Sequence, residues 1–376
     1  MAACARAFAC AAAARRALRL HPPPDPPAPA LTRHVVVERE GESVASYLAR
    51  ELEDVGVDES YARELVDFGA VWFAERTPPR ALRGVPGPER TRRLRGGEEL
   101  VLRTGNYLRV HVSPKRFPEA LSTSWSDCVL QRGDGFVVAH KPAGVSVTPT
   151  VDNVRESCLA MLERATGMSE GTLKPVHRLD VGTEGVLVLA STSEFAKEFG
   201  DMLAKRSLTK VYRVLTSRPV PLGYHLHMAE PAKEGPRKML LTKVDTNDVE
   251  AEIAKVSMRG GAEPGGVSEP KMCILRVLEC SAVDSGLFET RVELLTGRTH
   301  QIRAQFAALG APLVGETLYR APDDLGEVRV QQPNERLGLQ AAELHLHADC
   351  ALGASGSTLR ALEPWWVRER VTVSSS

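Results

Sequence analysis

Pro175-Val176-His177-Arg178-Leu179-Asp180-Val181-Gly182-Thr183-Glu184-Gly185 runs directly into the apolar segment Val186-Leu187-Val188-Leu189-Ala190. Five consecutive β-prone residues behind a Gly-x-x-Gly turn read as a strand whose start the turn marks. A carboxylate held between an Arg-Leu step and that turn is displayed at the strand's edge, where a reactive group would stand. The competing reading makes Asp180 a turn former ahead of a strand. The surrounding chain bears on the choice.

Upstream, Phe136-Val137-Val138-Ala139 has a strand pattern, ended by His140-Lys141-Pro142-Ala143-Gly144-Val145, where Pro142 and Gly144 force a turn. Asp152 to Ala165 has helical spacing. Downstream, Glu194 to Lys205 is a second helix that turns Phe195, Phe199, Met202 and Leu203 toward a core. Lys210 to Leu215 follows as a strand, so Lys210, Tyr212 and Val214 share one face and Val211, Arg213 and Leu215 the other. Residues 245 to 270, polar and rich in glycine, read as a surface insertion. Cys273 to Val283 and Leu287 to Leu295 form an expected antiparallel pair across Asp284-Ser285-Gly286.

That pair leads into Thr296-Gly297-Arg298-Thr299-His300-Gln301-Ile302-Arg303-Ala304-Gln305-Phe306. Here a helix starts, with Thr299 as the expected cap, Ile302, Phe306 and Leu309 as the buried stripe, and Gly310 and Pro312 as the stop. His300 and Arg303 lie on a neighbouring face beside Ala304 and Ala307, which leave room for Arg303 to point into a site.

The first part of the chain reads differently. Met1 to Pro24 carries Arg6, Arg15, Arg16 and Arg19 and no acidic residue, the pattern of an organelle transit peptide, with a Pro-rich spacer at 21 to 29. A serine-free leader up to residue 43 leans toward a mitochondrial address. From Val35 onward, Val44, Leu48 and Leu52 line one short helix and Tyr61, Leu65 and Val66 a second that stops at Gly69, before the strand Ala70 to Phe73. An arginine-rich loop, Arg80 to Arg95, contains Arg90, Arg92 and Arg93, and Glu98 to Arg103 is expected to return as a strand. This order over 35–105 resembles the small alpha-L type RNA-binding fold, which implies that the basic residues hold RNA phosphates in a salt-sensitive, sequence-independent way. Residues 106–127, with Pro114, Pro118 and several serines, read as a linker, and 128–376 as the larger domain.

Lysine plus arginine equals aspartate plus glutamate at 48 each, so any surface for a polyanion must come from local clustering. No apolar run reaches membrane-spanning length, and a soluble protein is expected. The cysteines at 4, 10, 128, 158, 273, 280 and 350 form no C-x-x-C pair, which suggests neither a zinc site nor a disulfide framework.

Taken in order, Lys141-Pro142-Ala143-Gly144, His177-Arg178-Leu179-Asp180, Lys210-x-Tyr212 and Thr296 to Arg303 resemble the motifs of the RluA-type RNA pseudouridine synthases, over about residues 128 to 350. Leu108-Arg109-Val110-His111, Gly310 to Tyr319 and Trp365-Trp366 look most like the plastid members of plants and algae. The resemblance implies an α+β fold with a mixed, mostly antiparallel sheet flanked by helices. It implies Asp180 as the catalytic aspartate, Tyr212 as the ring that stacks on the target base, Arg303 as the partner holding the Asp180 carboxylate, and Arg178 as the residue that enters the RNA. It further implies an RNA partner, rRNA or tRNA, no cofactor and no metal, a monomer, and a chloroplast location, with the mitochondrion as alternative.

Four residues depart from the family's pattern: Glu184 stands for serine, Val214 for alanine, Gln305 for histidine and Glu316 for aspartate. None is expected to touch the three core roles. Two rival readings accompany this one. One is glycoside hydrolysis with Asp180 and Glu184 as paired carboxylates, and the other is a catalytically silent RNA-binding protein of the same fold.

Overall fold

A computed structural model of the chain describes residues 31–78, 91–232, 239–246, 248–258, 270–283, 286–319 and 336–368. The leader and spacer, Arg80, Arg83 and Arg90 lie outside the described residues. The chain forms two compact units: residues 1–117 with 148–157, and residues 118–147 with 158–376.

In the first unit, β1 (Thr32–Val36), β2 (Val71–Ala74), β3 (Arg92–Arg93) and β4 (Tyr107–His111) form an antiparallel sheet in the order β1-β4-β2-β3. The helices Val44–Glu51 and Glu59–Phe68 start at Ser43 and Asp58, whose side chains accept the Ser46 and Tyr61 N–H groups. The second helix stops at Gly69, in the left-handed conformation that glycine adopts without strain. Leu48, Leu52, Ala62 and Leu65 pack with Val71, Phe73, Leu108 and Val110 in one apolar core.

Two details differ from the sequence reading. The expected strand Glu98 to Arg103 is reduced to a single bridge at Val101, and the last strand is β4, within the stretch assigned to the linker. Its alternation of Leu108 and Val110 with Arg109 and His111 is what fits it to a half-buried sheet. The helix expected from Asp152 begins at Cys158. The Asp152 carboxylate instead accepts the Lys115 N–H, and that of Glu156 accepts the Phe117 N–H at 2.8 Å and pairs with the Arg116 guanidinium.

The second unit is a mixed, mostly antiparallel sheet with helices, so the fold is α+β. Its strands are β5 (Val129–Gly133), β6 (Phe136–Lys141), β7 (Lys174–Pro175), β8 (Glu184–Ala190), β9 (Leu208–Thr216), β10 (Gly223–Pro231), β11 (Met239–Lys243), β12 (Lys271–Val283), β13 (Leu287–Leu294), β14 (Leu339–Leu346) and β15 (Thr358–Arg360). They are ordered β11-β10-β12-β13-β9-β14-β8-β6-β5, with β15 on β14 and β7 on β8. Only the β14–β8 pairing among these is parallel, and Gly185 makes it possible: a Cβ there would lie 2.1 Å from the Ala341 carbonyl oxygen. The helix Ser193–Ala204 packs Phe195, Phe199 and Met202 against Phe136, Val138, Val186 and Val188. Within the expected insertion, the structure contains the helix Val249–Met258. No helix among the described residues is long and apolar enough to cross a membrane.

Candidate active site

Asp180 stands in the loop between β7 and β8, at the edge of the strand that the apolar run forms. Its neighbour Val181 is held twice, its carbonyl accepting the Gly144 N–H at 2.8 Å and the Lys141 ammonium at 3.1 Å. Lys141 is fully buried and also donates to the Pro142 carbonyl at 2.8 Å. Burial pushes its amine down to about 8, against the opposing charges of Asp180, Glu184 and others nearby. The Lys-Pro-Ala-Gly turn therefore clamps the backbone beside Asp180 from below.

On the other side of the loop, His177 Nε2 accepts the Val188 N–H at 2.9 Å and the ring stacks on Phe199. Burial, then the charge of Lys210, push this imidazole down to about 3. The bond from Val188 requires the same direction, because a protonated Nε2 could not accept it. The unfolded ring titrates near its ordinary value of about 6.5. Stability tied to the neutral ring is therefore complete above that pH and is lost as pH falls from it toward 3. The urea midpoint should decline between about pH 6.5 and pH 4 more steeply in the wild type than in His177→Asn, which cannot titrate there. Parallel slopes would contradict this account of the loop.

A cleft of about 360 Å³ opens over Asp180, and its walls include Arg178, Asp180, Lys210, Tyr212, His300 and Arg303. Every site residue expected in the larger domain thus reaches one cavity. Tyr212 lies on β9 opposite Ala341 of β14, whose small side chain leaves the ring its space, and it is almost fully buried. Burial and the Asp180 charge push its hydroxyl well above the ordinary tyrosine range. The shift favours the neutral hydroxyl. Arg178 is exposed at the cleft's wall.

The helix Gln301–Ala308 carries the opposite wall. Ile302 and Phe306 are buried as expected, and Gln301 and Gln305 are buried with them. Gln301 accepts from Thr296 Oγ1 at 2.8 Å and donates to the Ile274 carbonyl, while Gln305 donates to the His225 carbonyl and meets His227 Nδ1 at 2.9 Å. These side-chain bonds fasten the helix to the sheet, so Gln305 fills a structural place. Thr299 does not cap this helix: the residue ahead of it is His300, in a left-handed conformation and without a side-chain cap bond.

The expected pairing of Arg303 with Asp180 is not what the structure contains. The Arg303 guanidinium makes two parallel hydrogen bonds to Glu316, both 2.7 Å, and lies 5.6 Å from the centre of the Tyr319 ring. A carboxylate matches the guanidinium fork geometrically, and Glu316 is fully buried, where a charge-assisted pair of this kind is strong. Burial works to raise the Glu316 carboxyl, but Arg303 and the N–H groups of Leu318 and Tyr319 hold it below its ordinary value. Arg303 still feels the charge of Asp180 across the cleft. Among the described residues, the basic atom at ion-pair range of Asp180 is His300 Nε2, 4.0 Å from Oδ2. Glu316 therefore touches Arg303, one of the three residues expected to hold a core role, contrary to the sequence reading.

Glu184 does not line the cleft. It is buried on β8 and accepts from Gln340 Nε2 at 3.1 Å, the Trp365 N–H at 2.9 Å and Arg368 Nη2 at 3.1 Å. Trp366 Nε1 similarly donates to Glu289. The tryptophan pair thus latches the end of the described chain onto the sheet. A two-carboxylate site of Asp180 and Glu184 is excluded by this placement, because a glycosidase pair must face one sugar ring from both sides.

In the first unit, Arg92 pairs with Glu98 at 3.0 Å and lies over Phe73. Arg93 donates to the Thr150 carbonyl at 2.8 Å and stacks on Trp72. Arg90 falls outside the described residues. Among the described residues no cluster of histidine, cysteine and carboxylate side chains could hold a metal ion.

Comparison with known proteins follows the same lines. A family model described as RNA pseudouridylate synthase matches residues 135–308. The chain is 30% identical over 347 residues to RNA pseudouridine synthase 6, chloroplastic, of Arabidopsis thaliana, covering 80% of this chain and 68% of that protein. The rice protein of the same name is also 30% identical over 347 residues, with 80% and 67% covered. Pseudouridylate synthase RPUSD4, mitochondrial, of Bos taurus is 29% identical over 284 residues, with 71% and 69% covered.

Proposed function

This chain belongs to the RNA pseudouridylate synthase family and is an isomerase of that kind, and we propose that it converts specific uridines of plastid rRNA or tRNA to pseudouridine, with Asp180 as the reacting carboxylate and no cofactor. The observation that carries the proposal is the gathering of a carboxylate, an aromatic ring and the cationic side chains Arg178, Lys210 and Arg303 around one cleft.

The chemistry asks for little more. The bond between N1 of uracil and the ribose breaks, the base turns, a bond from C5 to the same ribose carbon forms, the C5 proton passes to water, and N1 takes up a proton in exchange. No electron is gained or lost, so the protein has only to supply a base or nucleophile, position the uracil and handle one proton. Asp180 begins the reaction either by attacking the anomeric carbon or by removing the neighbouring ribose proton. Tyr212, neutral and beside Asp180, takes part as a hydroxyl or through water when the C5 proton leaves. Extruding the uridine costs a few kcal/mol, and stacking on Tyr212 offsets about 1–3 kcal/mol of that. Arg178 at the cleft wall enters the RNA where the uridine has left.

The first unit is assigned to RNA binding of the alpha-L type, supported by its helix pair beside an arginine-rich segment. Replacing Arg90, Arg92 and Arg93 together by glutamine should weaken binding to all RNA sequences alike and flatten the salt dependence by about 0.7 per lost single-strand contact. An unchanged slope returns Arg92 and Arg93 to a purely structural part, which their bonds to Glu98 and Thr150 already describe. Plastid location rests on the two chloroplastic plant relatives, with the bovine mitochondrial relative favouring the alternative.

A silent RNA-binding protein remains the second reading, and one experiment separates the two. The purified full chain is incubated with organellar RNA without added cofactor, and the nucleosides are analysed for pseudouridine. New pseudouridine supports the proposal; none, with RNA binding intact, supports the silent binder.

A further inference from the structure

We propose that His300, held at Nδ1 by Tyr319, is the residue that aims the Asp180 carboxylate. The inference rests on the reading of Asp180 as the reacting group and adds a positioning residue to it.

His300 adopts φ 51° and ψ 24°, and Arg206 is the other non-glycine residue with positive φ among those described. Residues with a Cβ are strained there, and strain of this kind collects where a side chain has to be delivered to a particular place. The place is visible. His300 Nδ1 lies 3.1 Å from the Tyr319 hydroxyl oxygen, and that oxygen accepts the Met239 N–H at 2.9 Å. Nε2, on the far side of the ring, faces Asp180 Oδ2 at 4.0 Å.

Tautomer assignment follows from these contacts. With the proton on Nδ1, the Nε2 lone pair would confront the carboxylate, acceptor against acceptor. With the proton on Nε2, the Tyr319 hydroxyl donates to Nδ1 while accepting from Met239, and Nε2–H points at Asp180. The contacts at Nδ1 and at the Tyr319 oxygen are then both satisfied. The 4.0 Å gap is longer than a hydrogen bond, so the contact closes when a base fills the cleft, as catalytic contacts commonly tighten on binding.

Burial is the main force that holds the ring below its ordinary value. Burial lowers His300, Asp180 opposes this, Arg303 on its own helix and Arg178 on the Asp180 loop lower it further, and Glu316 opposes them. A neutral imidazole that donates at Nε2 directs the carboxylate without neutralising it, so Asp180 keeps its charge for the reaction. The same contacts explain where Arg303 acts. Its fork fixes Glu316, and Glu316 accepts the Leu318 and Tyr319 N–H groups at 2.7 and 3.3 Å. Arg303 thereby sets Tyr319, Tyr319 sets His300, and His300 sets Asp180.

His300→Gly tests this cleanly, because glycine adopts the left-handed backbone without strain while the ring is lost. Turnover should fall by roughly ten- to a hundredfold, the range of one hydrogen bond to a charged group, with KM for RNA within about twofold. Added imidazole should restore part of kcat, and His300→Gln, which returns an N–H near the Nε2 position, should keep more activity than the glycine variant. Tyr319→Phe should cost less than His300→Gly, and the double variant should be no slower than His300→Gly alone. Wild-type kcat in His300→Gly, or a loss that neither imidazole nor glutamine relieves and that adds fully to Tyr319→Phe, overturns the proposal. Asp180→Asn is assayed alongside. If it is inactive while His300→Gly is fully active, only the role of His300 falls; if it is active, the reading of Asp180 falls with it.

Discussion

Asp180→Asn should bind RNA as tightly as the wild type and form pseudouridine at least about a thousandfold more slowly. The substitution keeps the side chain's shape and removes the charge on which both possible first steps depend. An amide neither attacks the anomeric carbon nor takes a ribose proton at neutral pH. The fold has little to lose, since the side chain is 24% exposed and its recorded ionic neighbour, His300, stands 4.0 Å away. The loop itself is held by backbone and lysine bonds to Val181, which asparagine leaves alone. A folded Asp180→Asn protein with near wild-type turnover would falsify the assignment of the reacting group.

Arg303→Met should destabilise the second unit and remove most of its turnover, and the two effects should separate in a double variant. Removing Arg303 takes the guanidinium fork from Glu316, a fully buried carboxylate, and breaking a buried pair of this kind costs about 3–5 kcal/mol. Part of that is softened by the N–H groups of Leu318 and Tyr319, which still reach Glu316. Arg303→Met combined with Glu316→Gln removes both charges, so its unfolding midpoint should recover much of the loss in the single variant. Turnover should not recover, because the cation facing Asp180 and the brace behind Tyr319 are both gone. Arg303→Lys keeps the charge without the planar fork and should retain only part of the rate. Stability changes that simply add in the double variant would show that Arg303 and Glu316 are not a coupled pair.

The strand β8 and the carboxylate ahead of it are legible because an unbroken apolar run after a glycine turn has few other ways to fold. β8 begins at Glu184 and buries its whole length. Alternation on β9 correctly put Lys210 and Tyr212 on one face, which becomes the cleft wall. The partner of Arg303 was not legible, since spacing along one helix says which way a side chain points but not which carboxylate meets it. Glu316 lies thirteen positions away and reaches Arg303 only through the turn after the helix. Treating Glu316 as a mere departure from a pattern hid the residue that completes the fork. His300 was read as a helix-face residue because its left-handed backbone has no signature in composition.

Other differences have equally local causes. Tyr107–His111 was assigned to the linker on the strength of the prolines and serines after it, although its own alternation is that of a strand. Asp152 to Ser157 has helical spacing, yet its side chains bind the backbone of residues 115 to 117, and such bonds compete with helix formation. Glu184 could not be placed from its spacing to Asp180, because Gln340, Trp365 and Arg368, which hold it, are distant in sequence.

The most direct measurement uses RNA carrying tritium at C5 of its uridines. Forming the new bond at C5 expels that hydrogen, so isomerisation is read as tritium released to water, with no cofactor in the mixture. The account predicts release by the wild-type chain in proportion to pseudouridine formed, and background release by Asp180→Asn under the same conditions. Folded wild-type protein that binds the RNA and releases no tritium, or an Asp180→Asn protein that releases it as fast, would contradict the account.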